Sequence, residues 1–257
     1  MTDELIERLR TDTFGVRDIL TVYFHCFFGT TLYTFSISPD ILLIEALVDM
    51  PLMKLPARSV AVRVPGGVAL FSPGPNADLA RCNELGSVTD IVAPTMFHDL
   101  GVQRAVEMFP TAKVWGVPGF TEKLPDIKWS AELTAANWPY QKELSAVLLK
   151  GMPQINETVF IHRKSKTLIV SDLCFNIADA RGVGAWIILH LFGTYQRFAI
   201  SRFFRRFIAD KAAFQRSLGE LFSYDFDNII MSHGDVVVGG GRERLLAALG
   251  GRGLSPR

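Results

Sequence analysis

Residues 91–101 read IVAPTMFHDLG, and this stretch is the strongest indication of the fold. Residues 90–93 form a short apolar run typical of a buried strand, and residues 100–109 have the spacing of a helix. Two polar side chains, His98 and Asp99, lie between them. Because loops at strand ends are where a rigid scaffold displays reactive groups, the stretch predicts a strand, a functional loop and a helix.

Four further loops follow apolar runs in the same way. They begin at Ser72, at residues 151–153 (GMP), at 171–175 (SDLCF) and at 232–235 (SHGD). Two hairpin signals precede them: the β-rich runs 59–64 and 68–72 flank Pro-Gly-Gly, and the runs 158–162 and 167–171 flank a polar turn. Both halves of the chain thus repeat a hairpin, helices and a strand. This order predicts an α/β fold with two packed mixed sheets and helices on the outer faces, an αββα sandwich.

Composition sets the class of protein. The 257 residues are 49% hydrophobic and 21% charged, which provides a large core and argues against disorder. The net charge of +1 gives no basic excess for neutralising phosphates, so no nucleic-acid partner is expected. We predict one globular unit at 58–257 and an N-terminal extension, 1–57, packed on it.

Cysteine usage and the apolar runs bear on the compartment. Cys26, Cys82 and Cys174 are far apart and odd in number, so a disulfide framework is not expected. The polar N-terminus does not read as a signal peptide, and no apolar run reaches the ~20 residues that a membrane span needs. These features favour a cytoplasmic protein.

The order and spacing of the five loops resemble the five metal-site motifs of the metallo-β-lactamase superfamily. In that family the second motif reads T-H-x-H-x-D-H-x-G, the fourth reads G-D-x-x-F, and the fifth is a His followed by Gly. The likeness is carried by residues 91–101, by the hairpin 158–171 that leads into SDLCF, and by SHG at 232–234. The chain is also similar to a branch of uncharacterised bacterial relatives with an A-P-x-x-x-H loop and a T/S-D-L-x-F-N strand end.

The chain departs from the family pattern at the first metal site. Pro94 and Met96 stand where the second motif has its first two His, and Met152 or Pro153 stands where the third motif has one. Proline offers no donor atom, and a thioether is a poor ligand for hard or borderline ions. Ser72 replaces the acidic residue of the first motif. The resemblance therefore implies that the first metal site is lost.

The second metal position keeps its donor types. His98 falls on the motif's Asp and Asp99 on its last His, while Asp172 and His233 match directly. The resemblance implies one divalent metal held by these four residues, with Asp99 as fourth ligand or as catalytic base. Zinc is preferred over iron, although two His and one carboxylate also suit non-haem Fe(II), and a site without metal stays open.

Each candidate also has a structural interpretation. His98 and Asp99 could cap the helix that follows them, Asp172 could bind loop amides, and His233 could be a hydrogen-bonded core residue. The main functional hypothesis is a metal-dependent hydrolase with a single-ion site that acts on a small organic substrate. The alternatives are a catalytically degenerate protein that binds a ligand or partner, and a mononuclear iron redox enzyme.

Residues 186–207 are rich in aromatic and aliphatic side chains, and we predict that they are helical. Four arginines without an acid, Arg197, Arg202, Arg205 and Arg206, lie in this segment. The segment could cover a sheet, wall a pocket, form a homodimer contact or lie on a membrane surface. We favour the pocket wall or the dimer contact over the membrane.

Overall fold

The computed structural model describes residues 37–50, 52–178 and 182–257, and the backbone of a hairpin at 23–27 and 30–34. The described chain contains fourteen strands and six α-helices. The strands are β1 Tyr23–Phe27, β2 Thr30–Thr34, β3 Ile41–Met50, β4 Met53–Val64, β5 Gly67–Phe71, β6 Val88–Ala93, β7 Lys113–Gly116, β8 Ala131–Glu132, β9 Leu144–Leu148, β10 Thr158–His162, β11 Thr167–Val170, β12 Phe175–Asn176, β13 Phe198–Ala199 and β14 Asn228–Met231. The helices are α1 Val102–Met108, α2 Phe120–Lys123, α3 Val183–Phe192, α4 Arg202–Arg206, α5 Lys211–Phe222 and α6 Gly241–Gly250, and Leu79–Glu84 form a 3₁₀ helix.

Two mixed sheets carry the fold. The first has six strands in the order β3-β4-β5-β6-β7-β8, in which β5 to β8 run parallel. The second has four strands in the order β14-β11-β10-β9, in which β11 and β14 run parallel. Parallel neighbours send their carboxyl ends to the same edge of the sheet, which brings together loops that are distant in sequence.

The alternation of side chains in the second sheet shows the layers. Ala146, Phe160, Ile169 and Ile230 belong to the core shared with the first sheet, and the rings of Phe71 and Phe160 meet at 4.6 Å. The apolar residues that precede and follow these four on the same strands belong to a second core, which also contains residues of α5 and α6. Because successive strand residues point to opposite faces, the second sheet lies between the first sheet and these helices. The predicted αββα sandwich is confirmed.

The segment 186–207 is not one long helix. The helix α3 ends where Gly193 takes a left-handed conformation with φ 69°, and β13 separates it from the short α4. Glycine adopts this conformation without the steric cost of a Cβ, so Gly193 ends the helix. The prediction of one helix rests on the apolar composition of residues 186–207, which does not show that Gly193 ends the helix.

The predicted boundary at 57/58 falls within β4. Strands β3 and β4 pair over ten residues, from Ile41 with Val62 to Met50 with Met53, so residues 41–57 are part of the six-stranded sheet. Residues 1–22 lie outside the described residues, and the prediction of an N-terminal extension stays a prediction for them.

None of the described helices has the length and apolar character needed to cross a membrane.

Candidate metal centre

Three loops from both sheets meet at one edge of the sandwich. His98 follows β6 of the first sheet, whereas Asp172 and His233 follow the parallel strands β11 and β14 of the second. Gly234 lets the last loop close, because a Cβ there would lie 2.2 Å from the carbonyl oxygen of Asn176 and its φ is 99°. Gly101 has a similar role, since its Cβ would lie 2.0 Å from the Pro73 oxygen.

The donor atoms of these three residues face one another. The two Nε2 atoms of His98 and His233 are 3.3 Å apart. Asp172 Oδ2 lies 3.6 Å from His98 Nε2, and Asp172 Oδ1 lies 3.5 Å from His233 Nε2. In the described part of the chain this is the group of His and acidic side chains with the spacing of a metal site. Two imidazoles and a carboxylate are a donor set that divalent metals use in proteins.

A backbone carbonyl orients the His233 ring. Its Nδ1 lies 2.7 Å from the Pro56 oxygen, and a carbonyl can only accept, so Nδ1 donates. In the neutral ring this leaves the lone pair on Nε2, the atom that faces His98 and Asp172. The ring also stacks on Phe175 at 5.4 Å with an interplanar angle of 8°. This is the arrangement by which ligating His residues are held in one tautomer.

Arg58 fixes the loop that carries His233. The Arg58 side chain is buried, and its Nη1 donates to the carbonyl oxygens of Met231 and Gly234, both at 2.8 Å. Its Nε donates to Glu45 Oε1 at 2.6 Å. One guanidinium on β4 therefore joins the first sheet to both sides of His233.

The Asp172 carboxylate is buried but ionised. Burial by itself would raise the pKa of Asp172, but the imidazoles of His98 and His233, which lie 3.6 and 3.5 Å from its oxygens, outweigh burial, so the pKa lies below its usual range. Thr95 Oγ1 approaches Asp172 Oδ2 at 3.4 Å. Asp172 is therefore in the protonation state that a metal ligand needs.

Beneath the Asp172 loop lies a second buried carboxyl group, Glu157. Its Oε1 accepts from the backbone N–H groups of Ser171 at 2.8 Å and Asp172 at 3.1 Å. Its Oε2 has no partner among the described residues. Burial and the neighbouring charge of Asp172 raise the pKa of Glu157 to about 8. Glu157 thus holds the backbone of the Asp172 loop through two hydrogen bonds. No sequence motif indicates this role.

We expect Glu157 to make the stability of the metal-free protein depend on pH. Between its usual pKa of 4.5 and the folded value of about 8, the folded state holds a proton that the unfolded chain releases. The free energy of unfolding should therefore fall as the pH rises through this window. Glu157→Gln, which cannot titrate, should lack that decline, as measured by urea unfolding from pH 5 to pH 8. Glu132→Gln, at an exposed position, is the control, and parallel profiles for all three proteins would contradict the expectation.

The predicted set of four donors is corrected at Asp99, which lies outside the cluster. Its carboxylate is paired with Lys123, whose Nζ lies 2.7 Å from Asp99 Oδ2. Among the described residues, the cluster contains His98, Asp172 and His233 but not Asp99. The physical reason is that adjacent residues in a turn point in different directions, so His98 turns inward and Asp99 turns toward α2. Its position does not support a role as fourth ligand, and its role as catalytic base stays a prediction.

The residues that replace the first-site His lie beside the cluster. The Met96 N–H donates to the Ile155 oxygen at 2.9 Å, and the Thr158 N–H donates to the Pro94 oxygen at 2.8 Å. Met152 begins the turn that leads to Ile155 and is fully buried. These side chains offer no nitrogen or oxygen ligand, as expected from the sequence.

An apolar pocket of about 400 Å³ opens over the three donors. His98, Asp172 and His233 line it together with the β3–β4 hairpin, α3 and α4. Its apolar walls include Leu55, Phe175, Ile188, Phe192 and Phe204. The part of 186–207 that forms α3 and α4 therefore walls the pocket, as the sequence favoured.

Two other histidines lie outside the cluster. His162 is buried within β10, and its Nδ1 lies 2.7 Å from Ser165 Oγ. The strand β10 is interior to its sheet, between β9 and β11, which the local sequence could not show. His190 lies on α3 but is exposed rather than in the core.

Comparison with solved structures shows that the chain has the metallo-β-lactamase fold. A metallo-β-lactamase from Erythrobacter litoralis gives a TM-score of 0.59 at 16% identity, over 88% of this chain and 99% of that one. One from Pontibacter korlensis gives 0.57 at 14% identity, over 84% and 97%. The Flv1 flavodiiron core from Synechocystis sp. gives 0.54 at 13% identity, over 80% and 57%.

Residues 39–183 match the family described as a domain of unknown function, DUF4336. This match spans more than half of the chain, and the chain belongs to that family. Comparison with curated protein sequences gives no match.

Proposed function

We propose that this protein is a metal-dependent hydrolase with a single ion, held by His98, Asp172 and His233. The observation that carries the proposal is the convergence of these three side chains, whose nearest nitrogen and oxygen atoms lie 3.3 to 3.6 Å apart, at the base of an apolar pocket. A divalent ion at this point would polarise an ester, amide or phosphoester and lower the pKa of a coordinated water. We infer that the substrate is a small organic molecule with a large apolar part.

The donor types favour zinc over iron. Two imidazoles and one carboxylate beside an open position are a donor set of catalytic Zn²⁺ sites. The same set also suits non-haem Fe(II), so analysis of the bound metal separates the hydrolase from the mononuclear iron redox enzyme.

Backbone and side-chain groups of this protein prepare the site. The Pro56 carbonyl directs the lone pair of His233 toward the cluster, and Asp172 is ionised there. The apolar walls exclude water, which strengthens electrostatic interactions within the pocket. Phe97, whose side chain is 41% exposed, lines the pocket and packs its ring against Phe207, with the ring centroids 5.4 Å apart.

The second candidate is a protein that binds a ligand and catalyses nothing. The loss of donors at Pro94, Met96 and Met152 favours it, because relatives with two ions would use those positions. Metal content and hydrolysis, measured on the same protein, separate the two candidates.

We expect protein purified without added metal to contain about one zinc per chain. It should hydrolyse p-nitrophenyl esters, with rates that rise with acyl length, and chelation should reduce the rate at least ~100-fold until zinc is restored. Asp172→Asn should lose both zinc and activity, while Asp225→Asn, at an exposed carboxylate, should keep both. Zinc without hydrolysis of any ester, amide or phosphodiester probe would favour the ligand-binding protein. Stoichiometric iron would favour the redox enzyme.

A further inference from the structure

The helix α3 is apolar on both of its faces. Ile188, Leu189 and Phe192 line the pocket. The opposite face carries four large apolar side chains that are exposed by 48–76%, namely Val183, Trp186, Ile187 and Leu191. The helix contains no Asp, Glu, Lys or Arg. A surface helix of a globular protein normally places polar residues on its outer face. The apolar outer face of α3 therefore indicates an interaction surface.

A basic cluster lies at the carboxyl end of this helix. Arg197 Nε and Arg252 Nη2 donate to the Gly193 oxygen at 3.0 and 3.2 Å, and Arg202 Nη1 donates to the His190 oxygen at 3.1 Å. Arg205 and Arg206 are exposed on the adjacent α4. In the described residues no carboxylate forms an ion pair with any of these five arginines. Their positive charge is therefore available to an anionic partner.

The apolar and basic parts form one surface, which we call the α3–α4 face. The ring of Phe203, exposed to 44%, stacks on Phe192 at 5.2 Å and joins the two helices. The tip of the β3–β4 hairpin packs against the start of α3, because a Cβ on Gly184 would lie 2.0 Å from the Leu52 oxygen. Leu52 at this tip is exposed to 75%. The face thus consists of a hairpin tip, the outer side of α3 and the arginines beyond it.

We propose that the α3–α4 face docks onto an anionic lipid bilayer. The apolar side chains would enter the boundary of the acyl chains, and the arginines would meet the phosphates of the headgroups. The sequence analysis favoured a pocket wall or a dimer contact over a membrane for residues 186–207. The structure adds Arg252 to the four arginines of this segment and places an exposed apolar face beside them. A symmetric dimer through the same face would bring two sets of arginines together, and a nucleic acid would leave the apolar side chains exposed.

The test is co-sedimentation of the full chain with vesicles. We expect binding to phosphatidylcholine vesicles that contain about one third phosphatidylglycerol, and at least ~10-fold weaker binding to phosphatidylcholine alone. Binding to the anionic vesicles should weaken as the ionic strength rises from about 0.1 M to about 0.5 M, because salt screens the arginines. Metal content does not enter this test, so failure of the proposed hydrolase would leave its result unchanged.

Two variants and a matched control address the face itself. Arg205→Glu with Arg206→Glu should lose the preference for anionic vesicles, and Trp186→Ser with Leu191→Ser should reduce binding to both compositions; all four side chains are exposed, so the fold should persist. Lys113→Glu with Lys128→Glu makes the same charge change at the opposite end of the first sheet, where β7 and β8 begin, and should bind like the parent.

Three outcomes would overturn the proposal. The first is equal binding to neutral and anionic vesicles, and the second is equal loss in the face variants and the control. The third is an absence of binding to the anionic vesicles. If sedimentation velocity then shows that the face variants break a dimer, the face belongs to a contact with a second copy of the chain.

Discussion

His233→Ala is expected to lower the zinc affinity of this protein at least ~100-fold, since loss of a partner behind a ligand already costs 10–100-fold. The variant removes one of three donors, and Asp172 and His98, left alone, form an incomplete site. Equilibrium dialysis against a chelator-buffered zinc series, followed by metal analysis, measures the change.

His190→Ala is the matched control for that substitution. His190 is exposed on α3, and its Nδ1 bonds to the Trp186 oxygen at 2.8 Å, away from the cluster. The control should bind zinc like the parent. Circular dichroism should show that His233→Ala is folded, because the ring gives up only its hydrogen bond to the Pro56 oxygen, its contact with His98 and its stacking on Phe175, ~1–3 kcal/mol together. If His233→Ala keeps the parental zinc affinity, the assignment of the three ligands fails.

Arg58→Ala should lower the free energy of unfolding by about 2–4 kcal/mol, as two buried carbonyls lose their donor and a cavity opens. The acceptors concerned are the Met231 and Gly234 oxygens. Glu45 adds little, because its side chain is 61% exposed and can return to water. Urea unfolding followed by tryptophan fluorescence measures the effect.

Arg63→Ala on the same strand provides the comparison. The Arg63 side chain is 49% exposed and pairs with Asp40 at 3.4 Å, so its loss should cost less than ~1 kcal/mol. We also expect Arg58→Lys to restore only part of the stability, since a lysine cannot present a planar fork of donors to three acceptors. Equal effects of Arg58→Ala and Arg63→Ala would show that the guanidinium does not hold the His233 loop.

The fold could be predicted because its signals are local. The hairpin at 158–171, the apolar run before His98 and the SDLCF loop each contain their own periodicity and turn residues, and all became strands and loops of the expected kind. The break after α3 was missed because one left-handed glycine, Gly193, outweighs a long apolar composition. The pairing of β3 with β4 was missed because residues 41–50 show no clear period of two.

The candidate site was only partly accessible from the sequence. His98, Asp172 and His233 follow predicted strands. The convergence of Asp172 and His233 follows from the parallel pairing of β11 with β14, and that of His98 follows from the packing of the two sheets. The position of Asp99 depends on Lys123, and the role of Arg58 depends on carbonyls more than 170 positions away. Such contacts leave no trace in local spacing, and Glu157 escaped notice because it precedes an ordinary strand.

The origin of the three donors in two different sheets has a consequence for assembly of the protein. His98 and His233 are 135 positions apart, and their imidazoles meet only when the two sheets have closed on each other. The unfolded chain therefore contains no preformed site. An ion bound by the cluster would link the two sheets to each other. Its binding free energy adds directly to the native state. The supply of the ion during biosynthesis would then affect how much of this protein folds and escapes degradation. This effect would be separate from any catalysis by the ion.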